Sequence, residues 1–344
     1  MTGVAAGPIA RERIRRARHR AGRSVALAAL AAVVFVISLM VGNTFYPLAD
    51  VVRVVTGETV PGASFAVGVL RLPRATLALL AGAAFGAAGV TFQTLLRNPL
   101  AAPDIIGISS GASAAAVFGL LVLRLDRGMV SLVAVVAALL TAAVIYVLSF
   151  KDGVVGTRLI LIGIGISAML DSVVAYVLLR AASWDLQVAM RWLTGSLNGA
   201  TWSDVLPLLL AVAVAMPMLL ARTTDLQAMR LGDDTAAALG VRTERTRLLT
   251  ILAAVALIAF ATAAAGPVAF VAFLSGPIAA RLVGAGGSLT VPSALVGALL
   301  VLLADLAGQY AFGARYPVGV VTGALGAPYL VYLLVRINRS GASL

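Results

Sequence analysis

The chain of 344 residues has no cysteine, a single histidine (His19) and a single lysine (Lys151). Without thiols it forms no disulfide and no thiolate metal site. A Ser-His-Asp triad needs an imidazole beside its nucleophile, and His19 stands instead in an arginine-rich stretch. A P-loop needs lysine between glycine and Ser/Thr, whereas Lys151 lies between Phe150 and Asp152, so the chain carries no ATP site of that kind. Charge is scarce as well: 12% of residues are charged against 61% hydrophobic, about half the charged share of a soluble domain. That composition belongs to a polytopic membrane protein. The net charge of +12 then reads as loops facing anionic membrane lipid rather than as a nucleic-acid surface. No cofactor is expected.

What the chain has instead is long apolar runs. About 20 such residues cross a bilayer, and ten spans are predicted on that rule, at about 25–46, 75–96, 105–123, 129–150, 159–179, 204–221, 248–265, 268–284, 292–311 and 318–335. The eighth is interrupted by Gly266-Pro267 and Gly276-Pro277. Residues 1–24 form a basic tail with seven arginines. The apolar run after it is long for a signal peptide and lacks a small-x-small cleavage site, so it reads as an uncleaved first span. With that tail inside, 18 of the 26 Lys and Arg fall on the cytoplasmic side, as the positive-inside rule requires. Residues 25–336 form one membrane domain with a polar internal segment at 222–247, and 337–344 a second cytoplasmic tail. External segments fall at 43–74 and 180–203, the latter with Trp184, Trp192 and Trp202.

The most informative stretch is 71–115. Arg71-Leu72-Pro73-Arg74 reads as a turn before the second span. Gly82, Gly86 and Gly89 recur along an apolar run, and G-x-x-x-G lets helix backbones approach closely in a bilayer. Gln93 follows, then Arg97-Asn98-Pro99-Leu100-Ala101 breaks the helix, Pro103 blocks a restart, and Gly107-Ile108-Ser109-Ser110-Gly111 opens another helix. The ordered set R-x-P-R, Q-x-x-x-R-N-P-L-A-x-P and G-x-x-x-G-A resembles the permease subunits of ABC importers for iron–siderophore, haem and cobalamin. Three further segments are similar to that family: Leu231-Gly232-Asp233-Asp234 with Ala236, Leu239 and Gly240; Gly266-Pro267-Val268-Ala269-Phe270-Val271; and Tyr316 to Pro328.

That resemblance implies an all-α fold of type II importer architecture and a chain that makes and breaks no covalent bonds. It implies two ABC ATPase subunits, an extracytoplasmic substrate-binding protein and a second permease, the same chain or a related one. The locale is a bacterial inner membrane with both termini cytoplasmic. It assigns 222–247 to two short coupling helices that dock on the ATPase, and Arg71 and Arg74 to docking of the binding protein. Gly163, Gly165, Gly319, Gly323 and Gly326 are assigned to packing along the pathway and pair interface. Trp192-Leu193-Thr194-Gly195-Ser196-Leu197 is similar to siderophore permeases, which favours a ferric siderophore over cobalamin or haem. Two departures stand out: Ser275-Gly276-Pro277 lacks the family's histidine, and Arg315 stands where an acid is common.

Other readings fare worse. Gly107 to Gly111 matches G-x-S-x-G, but that elbow needs a preceding strand and a base. Asp171 and Asp305 lie within predicted spans, where ionisable groups are functional by default, yet neither has the Gly-x-Gly-Asp context of an intramembrane protease. An ion-coupled secondary carrier using one of them is the alternative that composition alone leaves open. For Asp305 the expectation is hydrogen bonds from small-residue backbones or a wet cavity.

Overall fold

A computed structural model of the chain describes residues 8–101, 106–150 and 156–339. Pro103, Lys151 and the ends of both tails lie outside them. The described residues form α1 (Pro8–Met40), α2 (Leu48–Val55), a π-helical segment Ser64–Arg71, α3 (Leu72–Leu95), α4 (Ile108–Leu121), α5 (Arg127–Ser149), α6 (Gly156–Leu179), α7 (Ser183–Leu193), α8 (Trp202–Ala221), α9 (Thr223–Met229), α10 (Asp233–Ala238), α11 (Thr243–Ala265), α12 (Val271–Val283), α13 (Thr290–Tyr310) and α14 (Val318–Arg339). Seven helices are long and apolar enough to cross a membrane, and α4, α12 and α14 supply three shorter apolar helices among the described residues. Together they account for the ten expected spans.

Several boundaries differ from expectation. The basic tail is not separate from the first span: α1 runs unbroken from Pro8, because alanine- and arginine-rich sequence has high helix propensity on both sides of Val25. Arg71 to Arg74 is not a turn. The π-helical segment passes directly into α3, with Pro73 in its first turn, the place where a missing N–H costs least. The external segments contain α2 and α7, each too short to read as a span.

The centre of the bundle is α3, whose span is 78% buried while that of α6 is only 11% buried. It packs on α13, α11, α12 and α8. The glycines allow this. A Cβ at Gly82 would strike the carbonyl of Gly297, one at Gly86 that of Ser293, and one at Gly89 that of Ala272. Dispersion between closely spaced backbones replaces the hydrophobic drive that lipid does not provide. In its N-terminal half α1 is clipped to the end of α12 and the α12–α13 connection. Arg20 donates to the carbonyls of Gly284 (2.6 Å) and Ser288 (2.8 Å), and Arg23 to that of Leu282 (3.3 Å).

Candidate functional site

Three regions carry the residues singled out in the sequence. The first lies at the C-terminal end of α3. α3 ends at Arg97, which adopts φ +50°, a left-handed geometry that closes the helix before Asn98-Pro99. Asn98 stabilises the turn by accepting from the Leu100 amide at 2.8 Å. The reversal aims Arg97 at 222–247: its Nε donates to the Met229 carbonyl at 3.0 Å, and its guanidinium pairs with Asp233. Asp233 also accepts from Arg247 of α11 at 2.5 Å. Farther back, Asp225 accepts from Thr246 at 3.1 Å. The segment with α9 and α10 is therefore tied to the ends of both α3 and α11. Ala236 faces inward, whereas Leu231 and Leu239 are 68% and 65% exposed. Gly232 and Gly240 carry positive φ on either side of α10, and Asp234 lies in its first turn. Gln93, one turn above Arg97, is buried and donates to the Phe273 carbonyl at 3.0 Å. It fills the space that a side chain at Gly276 would need.

The second region lies at the opposite, N-terminal end of α3. Arg74 makes a two-pronged ion pair with Asp305 of α13, Nη2 to Oδ1 at 2.7 Å and Nε to Oδ2 at 2.9 Å, and a third bond to Asn198 Oδ1 at 2.6 Å. Gln309 donates to the same carboxylate at 2.8 Å. Of the two expectations for Asp305, small-residue backbones are not its partners: side chains are, because Arg74 on α3 lies directly opposite it. Arg71 donates to the carbonyls of Leu39, Met40 and Thr44 at 2.7–2.9 Å, satisfying the end of α1, and stacks on Tyr46 at 5.0 Å. Both arginines already serve the fold. With Arg315, whose hydrogen bond is to Asn43 at 3.3 Å, they line a polar cavity of about 490 Å³.

The third region was not anticipated. α11 stops at Gly266, φ +74°, and α12 begins only at Val271, after Phe270 at φ +64°. α12 has 13 residues, so it rises about 20 Å and spans only part of the apolar core. The non-helical 266–270 stretch borders a cavity of about 580 Å³ lined by Ser110, Ser113, Pro267, Phe270, Phe273 and Leu330 among others. Irregular backbone at membrane depth is tolerated where it is covered by protein or lines a cavity. The two Gly-Pro pairs that weakened the eighth span were the available signal.

The five interface glycines divide. Side chains at Gly163, Gly319 and Gly326 would strike Ile106, Thr194 and Phe270 of the same chain, which accounts for their size without a partner. Gly165 and Gly323 have nothing within 4 Å. Asp171 is exposed on α6 with no polar partner among the described residues.

The sequence profile of the FecCD transport family matches residues 30–336. The chain is 42% identical over 273 residues to the ferric enterobactin transport system permease FepG of Escherichia coli, covering 78% of this chain and 82% of FepG. It is 38% identical over 307 residues to the achromobactin transport system permease CbrC of Dickeya dadantii, covering 88% of each. Among solved structures, a metal-chelate type ABC transporter in an inward-facing conformation superposes with a TM-score of 0.82 at 27% identity, covering 91% of this chain and 98% of that one. A profile match across nearly the whole membrane domain, on an all-helical bundle of the same architecture, establishes that the chain belongs to the FecCD transport family.

Proposed function

We propose that the chain is the pathway-forming permease of an ABC importer for a ferric siderophore, seated in a bacterial inner membrane with both termini cytoplasmic. The observation that carries this reading is the cytoplasmic anchorage of 222–247. Its two short helices are fixed to the core by Asp233, Arg97 and Arg247, while Leu231 and Leu239 point outward with no cover from this chain. Exposed apolar side chains held on a rigid polar connector suit a protein partner, and an ATPase subunit is the partner that a chain without an ATP site requires. Movement imposed on α10 would pass to α3 and α11 and bias two packings of the bundle. The relatives' printed substrates favour siderophore cargo over cobalamin or haem. The test is uptake of a radiolabelled ferric siderophore into proteoliposomes holding the permease, its ATPase and its binding protein. Uptake is expected only with ATP; uptake by the permease alone would point to a secondary carrier instead.

A second permease packs where Gly165 and Gly323 leave room. Because no atom of this chain lies within 4 Å of a side chain at Gly323, Gly323→Leu should leave the isolated subunit folded. Overpacking a partner interface should then destabilise the pair by about 1–3 kcal/mol and abolish uptake. Wild-type uptake in a normally expressed Gly323→Leu chain would remove this helix from the interface.

The binding protein docks externally, around the cavity bordered by Arg71, Arg74 and Arg315. The first two hold the wall together, so Arg315 is the clean probe of docking. Arg315→Glu should slow association with an acidic binding-protein lobe, most strongly at low salt where screening is weakest, and leave the melting temperature unchanged. Unaltered association kinetics at low ionic strength would exclude Arg315 from the docking face.

A further inference from the structure

We infer that the cavity at the α11–α12 break is a cargo subsite that holds anionic oxygen atoms of a ferric chelate between the start of α12 and the hydroxyl of Ser113. The inference rests on the importer reading above and adds to it a location and a charge class of cargo.

Four observations converge. First, the cavity is open enough for part of a chelate, about 580 Å³, and the described residues that line it include no acidic and no basic side chain. Backbone and hydroxyl dipoles are the polar groups that these residues present to it. Second, α12 begins at its edge. The helix's first internal bond is the Leu274 amide donating to the Phe270 carbonyl at 2.8 Å. The amides of Val271, Ala272 and Phe273 precede that bond and have no acceptor among the described residues; of these three residues Phe273 lines the cavity. Such an end carries roughly half a positive charge and binds anions through its free N–H groups. Within a membrane the effect is stronger, because no bulk water competes. Broken helices whose N-terminal ends face an anionic substrate group are a recurrent solution in transporters.

Third, Ser113 points to a ligand independently of the helix end. It is 7% exposed, it lines this cavity, and its hydroxyl has no hydrogen-bond partner among the described residues. Its oxygen is open to the cavity rather than sealed in the core, so a ligand there can reach it. Several other helix serines instead donate back to the preceding turn, as Ser167 does to Gly163 at 2.9 Å and Ser275 to Val271 at 2.6 Å. Fourth, the backbone is held in an unfavourable geometry to create the gap: Phe270, a bulky residue, sits at φ +64°, and strain of this sort gathers at ligand sites. Phe270 and Phe273 meet edge to face at 6.4 Å, giving aromatic surface to the organic part of the chelate.

The chemistry selects among chelates. Catecholate and carboxylate chelates leave negative charge on oxygen around iron, whereas a ferric tris-hydroxamate is neutral. The subsite thus favours the first class. The test uses the permease–ATPase complex in nanodiscs, without binding protein, and equilibrium binding of two radiolabelled probes: a ferric tris-catecholate and a ferric tris-hydroxamate. Ser113→Ala should weaken the tris-catecholate about tenfold, as expected for one hydrogen bond to a charged acceptor, and leave the tris-hydroxamate unchanged. Ser113→Thr, which keeps the hydroxyl, should restore the difference, and all three proteins should melt alike. The inference is overturned by a wild-type complex that binds no tris-catecholate, by equal effects on both probes, or by a Ser113→Thr chain that behaves as Ser113→Ala. If siderophore uptake with the full system persists while any of these holds, the subsite fails and the importer reading stands.

Discussion

A chain carrying Leu231→Asp and Leu239→Asp together is expected to insert and fold normally but to lose its ATPase on purification. The two leucines bracket α10 and are among the most exposed large apolar side chains outside the membrane spans. Each would contribute about 1.5–3 kcal/mol when covered, and interface energy concentrates in a few such anchors. Introducing two carboxylates removes that contribution and adds desolvation cost. The cluster's hydrogen bonds and ion pairs run among Asp233, Arg97, Arg247 and the Met229 carbonyl and use neither leucine side chain, so the connector's own geometry should persist. Co-purification from a membrane extract, with the permease's melting temperature as the control, reads the outcome directly. Stoichiometric ATPase on the doubly substituted chain would mean that 222–247 is not the docking element.

The second large effect concerns stability. Arg74→Ala leaves the Asp305 carboxylate, 7% exposed, with only Gln309 to answer it. Breaking a buried pair from one side costs about 3–5 kcal/mol, a large share of typical domain stability. Thermal unfolding in detergent should show a clear drop in the midpoint for Arg74→Ala and a comparable one for Asp305→Ala. The double change Arg74→Met with Asp305→Leu should recover much of the loss, since apolar replacement of both partners removes the orphan charge. Coincident melting of Arg74→Ala and wild type would show that the pair does not secure α3 to α13. The same logic changes how a charge reversal at Arg74 must be interpreted: any failure of binding-protein docking in Arg74→Glu would follow from a disturbed bundle before it spoke to docking.

Hydropathy made the spans legible because bilayer thickness fixes their length, and the glycines of α3 announced a crowded helix. The role of Arg97 was legible only as part of a motif; its geometry depends on a left-handed residue at a helix end, which pattern does not encode. The ion pair of Arg74, a residue that the resemblance assigned to docking of the binding protein, was not legible because its partner lies 231 positions away, and nothing in local sequence couples two such sites. The helices α2 and α7 were hidden by brevity; the Gly-Pro pairs announced an interruption of the eighth span, but not the cavity that it borders. Asp171 and Asp305 looked alike in sequence; packing separates them, one inside an ion pair and the other on an uncovered face.

The clip between Arg20 and the carbonyls of Gly284 and Ser288 joins segments separated by more than 260 positions. During synthesis the first helix enters the membrane long before its acceptors exist. At about 5–20 residues per second the interval is tens of seconds. Throughout it Arg20 and Arg23 lack the carbonyls that they will bind, and the nascent chain offers its basic end to headgroups, chaperones and proteases. Closure of the clip thus marks near-completion of biogenesis, and chains truncated before residue 284 should be the ones that surveillance removes.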